Sequence, residues 1–206
     1  MKNLKITLML LLLVSFMACK KDKVTPQPVE KPFDIRDYIL VETGSGLGDT
    51  DYTITTFELQ SKTRWYTLIG TIDGGTYSYS NGVLKVKWVG GSEIEFKIEN
   101  HRIVSHSSKF KPYTCQLIKI AESNQLNGNT YSGGWRAEGS LITFVSSLKF
   151  TDTHVGEATL NPPVPNNEYT SIKNVGAYCI INNVRSILIL IDGKLYGSKN
   201  SGTRYS

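Results

Sequence analysis

A period of two constrains this chain more than any other feature. Leu84, Val86 and Trp88 alternate with Lys85 and Lys87, and Ile94, Phe96 and Ile98 with Glu95 and Lys97. Ile142, Phe144, Leu148 and Phe150 share one parity, with Thr143 and Lys149 on the other. Successive side chains of a strand point to opposite faces, so each run puts one face on a core and one in water. Turn signals fall between the runs: Asp73-Gly74, Asn81-Gly82, Gly90-Gly91, Asn127-Gly128 and Asp192-Gly193. Asn-Gly and Asp-Gly tolerate the positive φ of two-residue hairpin turns. No stretch keeps a 3.6-residue period for three turns. Only Asp34 to Leu40, with a capping Asp and apolar Ile35, Tyr38 and Ile39, suggests a short helix leading into the sheet. The expectation is an all-β protein, an antiparallel meander that closes or stacks.

One strand breaks the alternation. Ile187, Leu188, Ile189, Leu190 and Ile191 are apolar on both faces, so water should reach neither. Such a strand lies between two packed halves or is covered by a loop. The halves also repeat a pattern. Gly75-Thr76-Tyr77-Ser78-Tyr79-Ser80-Asn81-Gly82-Val83 aligns with Gly176-Ala177-Tyr178-Cys179-Ile180-Ile181-Asn182-Asn183-Val184. Upstream, Thr55 to Leu59 parallels Ser146 to Phe150, and downstream Arg102-Ile103 parallels Lys194-Leu195. The second copy is longer by an insertion around Asn161 to Asn167, a stiff polar loop. The chain of 206 residues thus divides into a first β repeat over 33–120 and a second over 121–206.

The run from Gly75 to Val89, and Leu126-Asn127-Gly128-Asn129-Thr130-Tyr131 opening the second half, resemble the small lipocalin-like lipoproteins of Gram-negative bacterial envelopes. The resemblance covers most of residues 33–206 and describes a meander, not a chemistry. It implies a lipocalin-like barrel, or two packed half-barrels from an internal repeat, often with no assigned activity.

The N-terminus states a location. Lys2 and Lys5 precede an apolar stretch from Ile6 to Met17, and residues 1–18 have the layout of a secretion signal. Twelve apolar residues are too few for a membrane-spanning helix, which needs about 20. Ala18-Cys19 after this run resembles a bacterial lipobox, which implies a lipidated Cys19 as the first residue of the mature chain. Each buried methylene stabilises by about 0.8 kcal/mol, so two or three acyl chains hold a protein at a membrane. Residues 19–32, with Pro26, Pro28 and Pro32, read as an extended tether. Lys20 and Lys21 lie where anionic headgroups would be, although a solvated run is the simpler account of them. The expected location is the outer membrane of the cell envelope, on either its periplasmic or its surface side.

Chemistry is sparse by comparison. The net charge of +5 is concentrated before residue 33, and residues 33–206 hold 17 Lys and Arg against 16 Asp and Glu. That balance does not imply a basic phosphate-binding face, and nucleic acid is not an expected partner. His101 and His106 are five apart and point to opposite strand faces, and His154 is distant, so no metal site is expected. Asp49-Thr50-Asp51 lacks the remaining ligands of a calcium loop. No Gly-x-Ser-x-Gly elbow is present, and Glu93 and Glu95 read as solvated. Cys115 and Cys179, one in each half, either bridge in an oxidising compartment or stay as two buried thiols. Trp65, Tyr66 and Trp135 lie near turns, where an aromatic face either meets a ligand or packs across strands. The expectation is a non-enzymatic binding or interaction module, without cofactor, for a small apolar ligand, a glycan or an envelope protein. The alternatives are a hydrolase acting on envelope lipid or glycan, and a structural subunit of an outer-membrane complex.

Overall fold

The computed structural model describes residues 32–44, 51–91, 93–109, 113–137, 141–159, 161–199 and 203–205. The leader, Cys19 and the tether up to Lys31 lie outside the described residues, as do Asp49 and Thr50. From Phe33 onward the chain is one compact unit, and it is all-β.

A first sheet is built from β1 (Tyr38–Thr43), β2 (Tyr52–Phe57), β3 (Lys62–Thr67), β4 (Gly70–Ser80), β5 (Val83–Lys87), β6 (Glu93–Glu99), β7 (Arg102–His106) and β8 (Thr114–Lys119). Its order is β7-β6-β5-β4-β3-β2-β1-β8 and every pair is antiparallel. The two edge strands, β7 and β8, approach each other without forming a ladder. The second sheet contains β9 (Thr130–Ala137), β10 (Phe144–Phe150), β11 (His154–Ala158), β12 (Asn167–Ile172), β13 (Gly176–Ile181), β14 (Val184–Ile191), β15 (Lys194–Lys199) and β16 (Thr203–Tyr205). It closes into a barrel through the β16–β9 pair. Of the two architectures expected, two packed barrel-like halves is the one found.

Three apolar groups hold these layers together, and strand parity assigns each residue to one of them. Leu40, Phe57, Leu84, Val86, Phe96 and Ile98 fill the first sheet. Leu126, Leu148, Phe150, Val155, Ala177 and Leu188 fill the second. Between the sheets, Ile39 and Val41 of β1, Ile54 of β2 and Tyr66 of β3 meet Ile172, Ile187 and Ile189. Strand β14 therefore serves two cores, Ile187 and Ile189 facing the first sheet while Leu188 and Leu190 line the barrel. The strand apolar on both faces does lie between two packed halves. Polar contacts frame this seam: Tyr52 N donates to Ser198 Oγ at 2.8 Å, and Arg185 Nη1 to the Leu68 carbonyl at 3.1 Å.

The turns show how much of the meander is local. Asn81 and Gly82 (φ 50° and 76°) join β4 to β5, and Asp192 and Gly193 (φ 48° and 76°) join β14 to β15. Asn182 and Asn183 (φ 52° and 63°) make the same turn between β13 and β14, so the aligned segments ending in Val83 and Val184 are both two-residue hairpins. Flanking segments of the repeat do not correspond strand for strand: Phe57 is on β2, two strands before its hairpin, whereas Leu148 is on β10, three strands before. Asp73-Gly74 is not a turn. Arg64 pairs with Asp73 and Thr63 with Gly75, leaving Gly74 (φ 103°) as the extra residue of a bulge inside β4. The helix expected over Asp34 to Leu40 shrinks to one 3-10 turn at Ile35–Asp37. Asp34 caps it through the Arg36 N–H, but Tyr38 to Leu40 are captured by β1, whose ladder bonds and two buried faces outweigh three residues of helix.

Candidate functional site

Both interiors bury polar side chains as well as apolar ones, and those of the first sheet are the unusual set. Strand β1 is buried on both faces, so Glu42, with the parity of Leu40, points inside. It is 1% exposed. Its carboxylate accepts from Thr55 Oγ1 at 3.4 Å and from the Tyr113 hydroxyl. Both partners are neutral, and no Lys or Arg among the described residues pairs with it. Burial pushes the Glu42 pKa up to about 7, against the pull of its two hydrogen bonds.

The register places the neighbours. Thr55 pairs with Trp65 across β2 and β3, and the Trp65 ring lies 5.9 Å from that of Trp88. Trp88 follows β5 and packs with the interior group. Gly75 makes room opposite it: an added Cβ would stand 2.3 Å from Thr63 Oγ1 and 3.5 Å from the Trp88 Cα. The indole Nε1 atoms of Trp65 and Trp88 are both buried without a hydrogen-bond partner. Such groups are rare in native interiors, because each forfeits its hydration. Cys115 sits beside Glu42 in the β1–β8 register, and burial, then Glu42, push its thiol up to about 12. Tyr113 reaches Glu42 from the segment leading into β8 and meets the His106 ring of β7 at 4.7 Å. It therefore spans the gap between the two edge strands.

The opposite end of the first sheet is plugged. Phe33, where the compact body begins, stacks on Tyr38 and His101 there and meets the Tyr79 ring at a tilt.

The second barrel holds its charges as a pair. Lys199 Nζ lies 2.7 Å from Glu157 Oε2, with the two side chains 8% and 9% exposed. Ser146 Oγ donates to Glu157 Oε1 at 2.8 Å, and Lys199 Nζ stands 5.1 Å from the Trp135 ring centroid. Trp135 stacks on Phe144 at 4.6 Å, and its Nε1 is also buried without a partner. This barrel carries its own counter-charge, whereas Glu42 has none among the described residues.

The expected site residues separate accordingly. Trp65 and Trp135 face the interiors, one in each sheet. Tyr66 has the other parity and packs in the inter-sheet layer, 5.9 Å from the Tyr178 ring, so it is removed as a ligand-facing residue. Of the two alternatives for Cys115 and Cys179, the structure has two free thiols, which fill different cores. Among the described residues no group of three or more His, Cys, Asp or Glu is placed to hold a metal ion. Glu93 and Glu95 lie on the exposed face, paired with Lys85. Sequence reasoning missed Glu42, Tyr113, Glu157 and Lys199. One signal for Glu42 was present: Tyr38 to Val41 is apolar on both parities, so a charge continuing that strand had to face a core.

Together the fold and its interiors define an all-β protein of two barrel-like sheets back to back, each with polar side chains buried inside. Comparison with protein-family models, with curated proteins and with solved structures finds no match.

Proposed function

We propose that this chain is a lipid-anchored, non-catalytic binding module of the bacterial outer membrane that takes a small ligand at the polar end of the first sheet. The observation that carries this reading is the pair of partnerless indole N–H groups, Trp65 and Trp88, in the same interior as a buried carboxyl without a counter-charge. Groups left unsatisfied in this way suit a site whose partner arrives from outside. The two thiols, Cys115 and Cys179, have pKa values raised to about 12 by burial and carry little thiolate at neutral pH, which favours binding over nucleophilic catalysis. The anchor rests on the resemblance of Ala18-Cys19 to a lipobox and on the tether that follows.

Native mass spectrometry of the full chain, extracted from membranes in mild detergent, tests the reading. A small-molecule adduct is expected on the unaltered chain and should be lost from Trp88→Ala; an adduct-free chain overturns the proposal. The same preparation tests the anchor, since Cys19→Ala should leave the membrane fraction, and a variant that stays with lipid refutes acylation there.

A second reading, contact with an envelope protein, has one observation in its favour. Leu141, Ile142, Phe144 and Val145 form an exposed apolar run, with Leu141 95% exposed.

A further inference from the structure

The chemistry around Glu42 narrows the class of ligand, and this step rests on the binding reading above. A buried carboxylate with two neutral donors is an incomplete arrangement. Its remaining lone pairs face a low-dielectric interior, where a cation is worth far more than in water. An anionic ligand would meet repulsion from the same group. The Trp65 and Trp88 rings, 5.9 Å apart and tilted by 46°, present the electron-rich faces that attract ammonium groups. Their two unpartnered N–H groups call for an acceptor oxygen on the same molecule. The contrast with the second barrel sharpens the point, because Glu157 there already has a cation, Lys199, lying against an indole, Trp135. The protein thus builds with its own lysine in one interior the arrangement that lacks its cation in the other.

We propose that the Glu42–Trp65–Trp88–Tyr113 cluster is a binding site for a small organic ammonium ion that carries a hydroxyl or another acceptor oxygen. The carboxylate of Glu42 receives the charge, the indole faces enclose it, and the indole N–H groups donate to the oxygen. Tyr113, which precedes β8 and meets His106 of β7, holds the carboxylate in place.

Binding of such an ion is linked to a proton. With the Glu42 pKa near 7, part of the free protein carries a neutral carboxyl at neutral pH, and a bound cation expels that proton. The titratable groups facing Glu42 are Tyr113 and Cys115, both pushed upward first by burial and then by Glu42, with His106 behind Tyr113. Neither Tyr113 nor Cys115 loses its proton in the range where Glu42 does. Affinity should therefore fall about tenfold for each pH unit below 7 and level off above it.

Calorimetric titration of the full chain in detergent tests the proposal with choline, with ethanolamine and with 3,3-dimethylbutan-1-ol, the uncharged analogue of choline. Choline or ethanolamine should bind at least about tenfold more tightly than the alcohol at pH 8. Glu42→Gln keeps both hydrogen-bond partners and should abolish that preference and the pH dependence. Equal binding of choline and the alcohol overturns the ammonium site but leaves a small-ligand site standing. Binding of none of the three overturns the ammonium site, and the adduct measurement then decides the broader reading separately. Preference for an ammonium that survives Glu42→Gln also overturns the proposal. Glycerophosphocholine, added as a competitor, separates two sources of the same chemistry: displacement of choline identifies a lipid headgroup as the ligand, and failure to displace it identifies a free amine. Both outcomes support an ammonium site.

Discussion

At the scale of single residues, Glu42 carries a cost to folding at neutral pH. Its pKa rises from 4.5 to about 7 on folding, so the folded state holds the proton more tightly than the unfolded chain does. The contribution to stability is fully present below about 4.5 and is lost as the pH rises to about 7, beyond which it stays lost. The whole effect is on the order of 3 kcal/mol. Glu42→Gln removes the titration and keeps a group that can bond Thr55 and Tyr113. Urea unfolding at pH 5 and pH 8 should show the variant gaining that amount on the parent chain between the two values. Parallel pH profiles for the two proteins would contradict the burial argument. The sequence carried only an indirect signal for this residue, the apolar run before it; the first sheet's interior on one face of β1 and the inter-sheet layer on the other enclose both its faces.

Elements show how local rules met tertiary constraints. Two-residue turns with positive φ at both positions were legible where Gly was present, at Gly82 and Gly193. They were harder to see at Asn100-His101, which makes the same turn without glycine (φ 48° and 63°). Strand β11 depends on a glycine for another reason. A Cβ on Gly156 would stand 2.0 Å from the Val164 carbonyl oxygen, so the 161–166 connection lies flat on that strand. The connection that the sequence marks as a stiff insertion is thus packed against its own barrel. Gly156→Ala should destabilise by about 1–3 kcal/mol, because backbone rather than a flexible side chain must move. A thermal melt should read that as a drop of several degrees. An unchanged midpoint would mean that the connection lifts away freely.

On the scale of the whole molecule, the layer between the sheets makes one folding unit of two. Ile39, Val41 and Ile54 on one side and Ile172, Ile187 and Ile189 on the other are all nearly or fully buried. Ile189→Asn places an unpaired amide in that layer, at a cost of roughly 3–5 kcal/mol from lost packing and desolvation together. Denaturation of the parent chain should be a single cooperative transition, and that of the variant should separate into two. A single transition in both, at the same midpoint, would show that the sheets do not depend on this contact.

What the sequence determined by itself was whatever depends on neighbours along the chain. Alternation set which residues of β5 and β6 face a core, and turn chemistry set where β4 and β14 reverse. The five-residue apolar run at Ile187 announced a strand enclosed on both sides. Tertiary structure alone decided which interior each buried group enters, separating Cys115 from Cys179 and sending Trp65 inward and Tyr66 outward. It also decided which buried carboxyl has a cation beside it. Periodicity reports only that a side chain leaves the solvent, whereas its partners are set by strand order and by contacts between residues more than a hundred positions apart, such as Tyr52 with Ser198.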